Sequence, residues 1–367
     1  MKIGLCFGGY CPLHKGHLDV IMKSKKLNDM TYVIVCGYDG DPRGDSVGLP
    51  LIKRYRIIKN FLDDDTLKVV YVNDTELGLD ESMSPENWKI WTTAVADKCG
   101  ITSMHYNWGV EVSGDVTWYV AEEFYKERLE QNCAFPCTVS LEDRTLNPVS
   151  GTKCRENPIK YWNDIAMPFR PYFSHNILIA GTASEGKTTL TKDIGKYYGI
   201  PYSYEKGRDM CDLKTDPEFN VKDFIYNIYE QHKYNEELIT SLQNQGVFIS
   251  DTDNMVTLMY ANYYRQRKEF SINDDDYKVL YALTKAYRPT TKWDKIFLLK
   301  PKPKGIVDDG QRYMPDSDYG IRCEFFKFLT NLYDEFGYEY EILDGTYYEN
   351  YLTVRRYIDE LYRKDEG

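Results

Sequence analysis

Eight residues in the second half of this chain constrain its fold more than any others: Gly181-Thr182-Ala183-Ser184-Glu185-Gly186-Lys187-Thr188, directly behind an apolar run at residues 177–180. They meet the spacing G-x-x-x-x-G-K-[ST] in full, and a chance match in a chain of this length arises about once in a hundred. The pattern asks for a strand, a tight loop whose backbone N–H groups cradle phosphates, and a helix that starts at the lysine. Lys187 would reach the outer phosphate oxygens of ATP and Thr188 would ligate Mg2+. Gly181, Ser184, Glu185, Gly186 and Thr189 complete the expected ATP-binding loop.

A second glycine-rich element of unrelated design opens the chain. Gly8-Gly9-Tyr10-Cys11-Pro12-Leu13-His14-Lys15-Gly16-His17 follows the apolar residues 3–7. His14 and His17 stand three apart where a helix should begin, and the positive end of that helix favours an anion. Two imidazoles there can donate hydrogen bonds to a triphosphate, and Gly16 lets the backbone approach. Surface histidines at a helix start, or an H-x-x-H metal pair, are the alternatives, but no third ligand motif lies nearby. Ser150-Gly151-Thr152-Lys153-Cys154-Arg155 is a further anion site of the same kind, although Ser-Gly-Thr alone is also an ordinary helix cap.

The 367 residues are enough for two domains, each with its own core. Strands at 2–7, 31–38, 68–72 and 103–107 alternate with helices at 16–27, 54–62 and 88–98, which implies a parallel sheet covered on both faces. Residues 157–173, with Pro158, Pro168 and Pro171, interrupt the rhythm and read as a domain junction. It restarts with strands at 176–180, near 202–204, and at 246–250, 295–299 and 338–343, and closes with a helix at 347–363. The expected class is therefore α/β, with domains at 1–170 and 171–367. Asp251 and Asp253 follow a strand as a magnesium-organising acid should; an Asp-rich turn is the alternative, and the P-loop upstream favours the functional reading. Arg265, Arg267 and Lys268 suit a lid over ATP, or a solvated charge run.

A net charge of −11 argues against nucleic acid or an anionic membrane as partner. No apolar stretch approaches a membrane span and no leader precedes the first strand, so the expected location is cytoplasmic. The nine cysteines are scattered without a CxxC pair, which disfavours zinc and thioredoxin-like chemistry; Cys133 and Cys137 would sit one helical turn apart. A homo-oligomer is compatible with the sequence and not specified by it.

The two glycine-rich elements, with residues 150–158, Tyr161-Trp162 and Arg170-Pro171-Tyr172-Phe173, resemble the bifunctional NadR family over nearly the whole chain. That family fuses a nicotinamide-nucleotide adenylyltransferase to a ribosylnicotinamide kinase. The resemblance implies an N-terminal Rossmann-like nucleotidyltransferase sheet and a C-terminal P-loop kinase sheet. It implies ATP and nicotinamide riboside as kinase substrates, and nicotinamide mononucleotide, adenylylated to NAD, as the intermediate. Gly8, Gly9, Tyr10, His14 and His17 would hold ATP, with Ser150, Thr152 and Arg155 on its leaving phosphates. Trp88 and Trp91 match a W-x-x-W pair that would contact the nicotinamide ring, although helical spacing also suits core aromatics. Arg54 and Arg56 are further candidates for phosphate contact, exposed helix charge being the commoner explanation.

In the second half, residues 204–209 match a Y-E-x-G-R-D stretch. From it Glu205, Arg208 and above all Asp209 are expected to bind substrate or take its proton, with Asp251 and Asp253. Arg312, in a D-G-x-R element, would be a lid arginine. Tyr10 and Cys154 depart conservatively from the family pattern. Some relatives carry an N-terminal helix-turn-helix; here the first strand is expected at once, which weighs against DNA binding. One active site with the other kept as a sensor or scaffold is the alternative reading.

Overall fold

The structure, a computed structural model, describes residues 1–79, 84–101, 115–143, 145, 147–211, 218–268, 270–303 and 318–364. The chain divides into two compact units, Met1–Phe173 and Ser174–Gly367. Residues 171–173, expected beyond the boundary, stay with the first unit. They end a 3-10 helix, Met167–Phe173, whose Phe169 and Phe173 are buried in that unit's core.

The first unit contains β1 (Ile3–Gly8), α1 (Lys15–Leu27), β2 (Met30–Gly37), α2 (Pro42–Asp45), α3 (Leu51–Leu62), β3 (Leu67–Asn73), α4 (Pro85–Lys98), β4 (Val116–Val120), α5 (Glu123–Asn132), β5 (Thr138–Leu141) and α6 (Gly151–Glu156). Its sheet has the order β3-β2-β1-β4-β5, and every pair is parallel. Val33, Ile34 and Val35 are all fully buried in β2, as expected where helices cover both faces. One face packs Leu13, Ile21, Val33, Val35 and Ile58; the other packs Leu5, Ile34, Trp88, Trp91 and Trp118. The strand expected at 103–107 lies outside the described residues. The partner of β1 on that side is β4, with Ile3 beside Val116. Because β1 has β2 on one side and β4 on the other, its carboxyl end opens into the crevice where the strand order reverses.

The second unit contains β6 (His175–Gly181), α7 (Lys187–Tyr198), β7 (Tyr202–Ser203), α8 (Gly207–Cys211), α9 (Val221–Thr240), β8 (Val247–Ser250), α10 (Asn254–Tyr264), α11 (Asp274–Tyr287), β9 (Lys295–Leu299), α12 (Tyr319–Glu335), β10 (Glu341–Leu343) and α13 (Tyr347–Lys364). The order β10-β9-β6-β8-β7 again puts the first strand in the middle of a parallel sheet. Helix α10 is apolar almost all round, with Met255, Val256, Leu258, Met259 and Ala261 buried. It is therefore a core helix, and α9, α11 and α12 surround it.

Candidate active sites

In both units the loop after the central strand runs into a helix that no side chain caps. The cap residues are His14 for α1 and Gly186 for α7; neither helix has a side-chain cap or an acidic residue in its first turn, although the Lys15 N–H of α1 donates to the Asp164 carbonyl at 2.9 Å. Helices α9 and α11, by contrast, begin with complete capping boxes. An unsatisfied helix start concentrates positive potential and donor N–H groups. Among the described residues, the two non-glycine residues with positive φ are Tyr10 (42°) and Ser184 (62°), one in each of these loops. Such backbone persists where the surroundings hold it, and it gathers at functional sites.

In the first unit, three elements fix the loop after β1. Arg54, on α3, is fully buried; its Nη1 donates to the Gly9 carbonyl at 2.6 Å and its Nη2 to Asp41 Oδ2 at 3.1 Å. Burial alone would raise the Asp41 carboxyl, but hydrogen bonds and charge from Arg43, with Arg54 adding to them, hold it below the usual range. Arg155, on α6, donates from Nη1 to the Cys11 carbonyl at 2.5 Å and from Nη2 to Thr152 Oγ1 at 3.1 Å. The two sequence elements, 144 residues apart, thus meet at one loop. Gly151 makes this approach feasible, because a Cβ there would stand 3.0 Å from the Cys11 carbonyl oxygen. Ser150 caps α6 by accepting from Lys153 N at 3.2 Å.

His14 is buried and stacks on His17, ring centres 3.7 Å apart, and Tyr10 meets His17 edge-on at 5.0 Å. Gly8 lies beneath the Tyr10 ring. Trp88 and Trp91 are each 2% exposed and sit in an aromatic cluster with Phe7 and Trp118. Arg56 is exposed. Arg54 had a readable signal: Leu51, Arg54, Ile58 and Leu62 share one buried helical stripe.

In the second unit, Gly181 ends β6 at φ 146°, and a Cβ there would stand 2.7 Å from the Leu299 carbonyl oxygen, so only glycine fits. Lys187 is buried, with Nζ donating to the Thr182 carbonyl at 2.9 Å across the loop. Strand β8 neighbours β6 and delivers Asp251 beside the loop, where Thr188 Oγ1 donates to Asp251 Oδ2 at 2.5 Å. Asp251 Oδ1 is buried and has no protein partner among the described residues. Burial pushes this carboxyl up to about 6 against the pull of Lys187. A hydroxyl, an acid and an orphaned acid oxygen at a P-loop suit a hard divalent cation that keeps several waters. Among the described residues, no cluster of three or more His, Cys, Asp or Glu forms a metal cage. Ser184 and Thr189 are exposed at the rim.

The structure bears on several of these expectations, and it overturns those for Asp253 and for Cys133 with Cys137. Asp253 does not face the P-loop chemistry: it caps α10 through Met255 N and accepts the Tyr333 hydroxyl at 2.9 Å inside the core. Asp209 is exposed on its side chain and held by Lys206 Nζ (3.1 Å) and Tyr204 OH (3.2 Å). Glu205, paired with Arg208 at 3.6 Å, is the one whose charge raises Asp251, with Arg208 opposing it. Arg265 and Arg267 lie over the rings of Tyr277 and Tyr263, Arg265 also pairing with Asp274, so the basic run is packed down at those two residues. Cys133 ends α5 and Cys137 precedes β5, so they flank a loop and do not share a helix. Arg312 lies outside the described residues. A buried pair missed from sequence, Glu185 with Arg322 on α12, has no local motif to betray it.

Two parallel α/β units, one with an open Rossmann-like crevice and one with an ATP-binding P-loop, define a two-domain nucleotide enzyme. Residues 176–350 match the AAA domain family. The chain is 26% identical over 324 residues to the trifunctional NAD biosynthesis/regulator protein NadR of Salmonella typhimurium, covering 84% of this chain and 71% of that protein. It is 24% identical to its Escherichia coli K12 counterpart, covering 95% and 80%. Two solved structures are similar throughout. A NadR protein in complex with NR is 31% identical, with TM-score 0.79, over 94% of this chain and 89% of that one. A NadR protein in complex with NAD and AMP-PNP is 29% identical, with TM-score 0.80, over 100% and 96%. The chain belongs to the NadR family of NAD biosynthesis proteins.

Proposed function

We propose that this chain is a cytoplasmic bifunctional enzyme that phosphorylates nicotinamide riboside and then adenylylates the product to NAD. The observation that carries this reading is the pair of helix starts without a side-chain cap after the two central strands, each preceded by a loop with one residue held at positive φ. Relatives crystallised with NR, and with NAD and AMP-PNP, supply the substrates that suit two such loops.

In the second unit the riboside 5′-hydroxyl attacks the γ-phosphorus of ATP, the bond from that phosphorus to the β,γ-bridging oxygen breaks, and ADP leaves. Lys187 leaves the Thr182 carbonyl for the β,γ-oxygens, and the loop N–H groups hold the chain of phosphates. Thr188 and Asp251 would hold Mg2+, which would supply charge neutralisation to the phosphates. Glu205 takes the hydroxyl proton, and Arg208 orients it through their ion pair. In the first unit the mononucleotide 5′-phosphate attacks the α-phosphorus of a second ATP and pyrophosphate leaves. No proton need be abstracted and no covalent enzyme intermediate forms, so the site works by positioning and charge stabilisation. His14 and His17 bind the triphosphate, Arg155 and Thr152 draw off charge on the leaving group, and Trp88 and Trp91 form the wall behind the pyridine ring.

The test separates the half-reactions. Lys187→Met should abolish riboside phosphorylation and leave mononucleotide adenylylation intact, and His17→Ala should do the reverse. Either variant losing both reactions while still folded would contradict two independent sites.

A further inference from the structure

Glu185 puts a carboxylate inside a loop whose task is to hold polyanionic phosphate. Left ionised and uncompensated, it would oppose ATP at close range and low dielectric. Its side chain is 5% exposed and is met by the guanidinium of Arg322, 3% exposed, from the second turn of α12. Arg322 bridges two segments: its Nη1 donates to Glu185 Oε1 and its Nη2 donates to the Lys302 carbonyl at 3.0 Å. The P-loop is thereby tied both to the chain leaving β9 and to the start of α12. A buried ion pair rarely adds net stability, so its presence in the loop calls for another reason.

We propose that Arg322 is a positioning residue of the phosphoryl-transfer site, which neutralises Glu185 and holds the P-loop in its phosphate-accepting form. The inference rests on the kinase reading for its chemistry, but not for its binding. Glu185 in turn anchors Arg322, so the pair sets ATP affinity without touching the transferred group.

Binding is read by titration with fluorescent mant-ADP, with Lys187→Met giving the signal that belongs elsewhere on the protein. Turnover is read as KM for ATP against kcat with nicotinamide riboside. Arg322→Gln should weaken mant-ADP about tenfold or more, because it leaves a buried acid unpaired beside the phosphates. KM for ATP should rise in step, while kcat changes much less. Adding Glu185→Gln to that variant should recover most of the affinity. Affinity unchanged in Arg322→Gln, or a double variant as weak as the single one, would overturn the proposal. If Arg322→Gln does not fold, Arg322→Lys and Glu185→Gln decide: the charge-retaining lysine should cost far less than tenfold, and Glu185→Gln, whose amide oxygen still accepts from Arg322 and keeps the loop tied, should bind mant-ADP at least as tightly as the wild type. Weaker binding in Glu185→Gln would overturn it as well. A wild-type protein that binds mant-ADP but makes no mononucleotide would refute the kinase reading and leave Arg322 to be judged on binding.

Discussion

Asp251 joins pH, stability and turnover in one side chain. Burial raises its carboxyl to about 6, and the proposed metal site needs it ionised. Kinase kcat/KM should therefore fall as pH drops through about 6, and adenylylation by the first unit should not share that limb. The stability sign is opposite. The folded chain holds this proton more tightly than the unfolded one, so the stability it contributes is present below the ordinary carboxylate range and lost as pH rises through about 6. Asp251→Asn should accordingly raise the melting temperature at neutral pH while lowering kinase kcat by roughly 10²–10³-fold. Arg54 behaves differently, because removing it strands buried Asp41; Arg54→Ala should cost about 3–5 kcal/mol by denaturant titration. Among the three thiols Cys6, Cys99 and Cys133, Cys133 is the one held low: a hydrogen bond from Cys137 stabilises its thiolate against the effect of burial, whereas burial pushes Cys6 and Cys99 up to about 12. Iodoacetamide at neutral pH should label Cys133 before either of them, as read by peptide mass spectrometry.

At the scale of elements, local pattern and non-local packing part company. The P-loop was legible because its spacing is the structure: the Gly181 φ and the Lys187 helix start follow from eight consecutive residues. Strands 31–38 and 295–299 announced themselves as β-branched and apolar runs, matching β2 within one residue and β9 fully. Helix α10 was not read, since it is apolar almost all round and has no helical stripe to detect; α9, α11 and α12 were also passed over, although their amphipathic faces and the Asn-led capping boxes of α9 and α11 are signals the sequence carries. Asp253 misled because a cap and a metal ligand look alike after a strand, and only the Tyr333 contact 80 residues away separates them. Arg322 could not be found for the same reason, its partner being 137 residues distant. The loop itself tolerates little: Gly181→Ala would drive a methyl into the Leu299 carbonyl and should lose about 1–3 kcal/mol with most kinase activity. Thermal unfolding and riboside turnover, measured together, check it.

For the whole molecule, each unit has its own central strand, its own apolar core and its own helix start without a side-chain cap. On the proposed reading the product of one site is the substrate of the other, which would explain why one chain carries two unrelated loops. The most direct measurement incubates the intact protein with Mg-ATP and nicotinamide riboside and follows all products by chromatography. The account predicts nicotinamide mononucleotide appearing first, then NAD, with ADP and pyrophosphate formed in step. Mononucleotide that accumulates without NAD, or a failure to phosphorylate the riboside while added mononucleotide is still adenylylated, would contradict it.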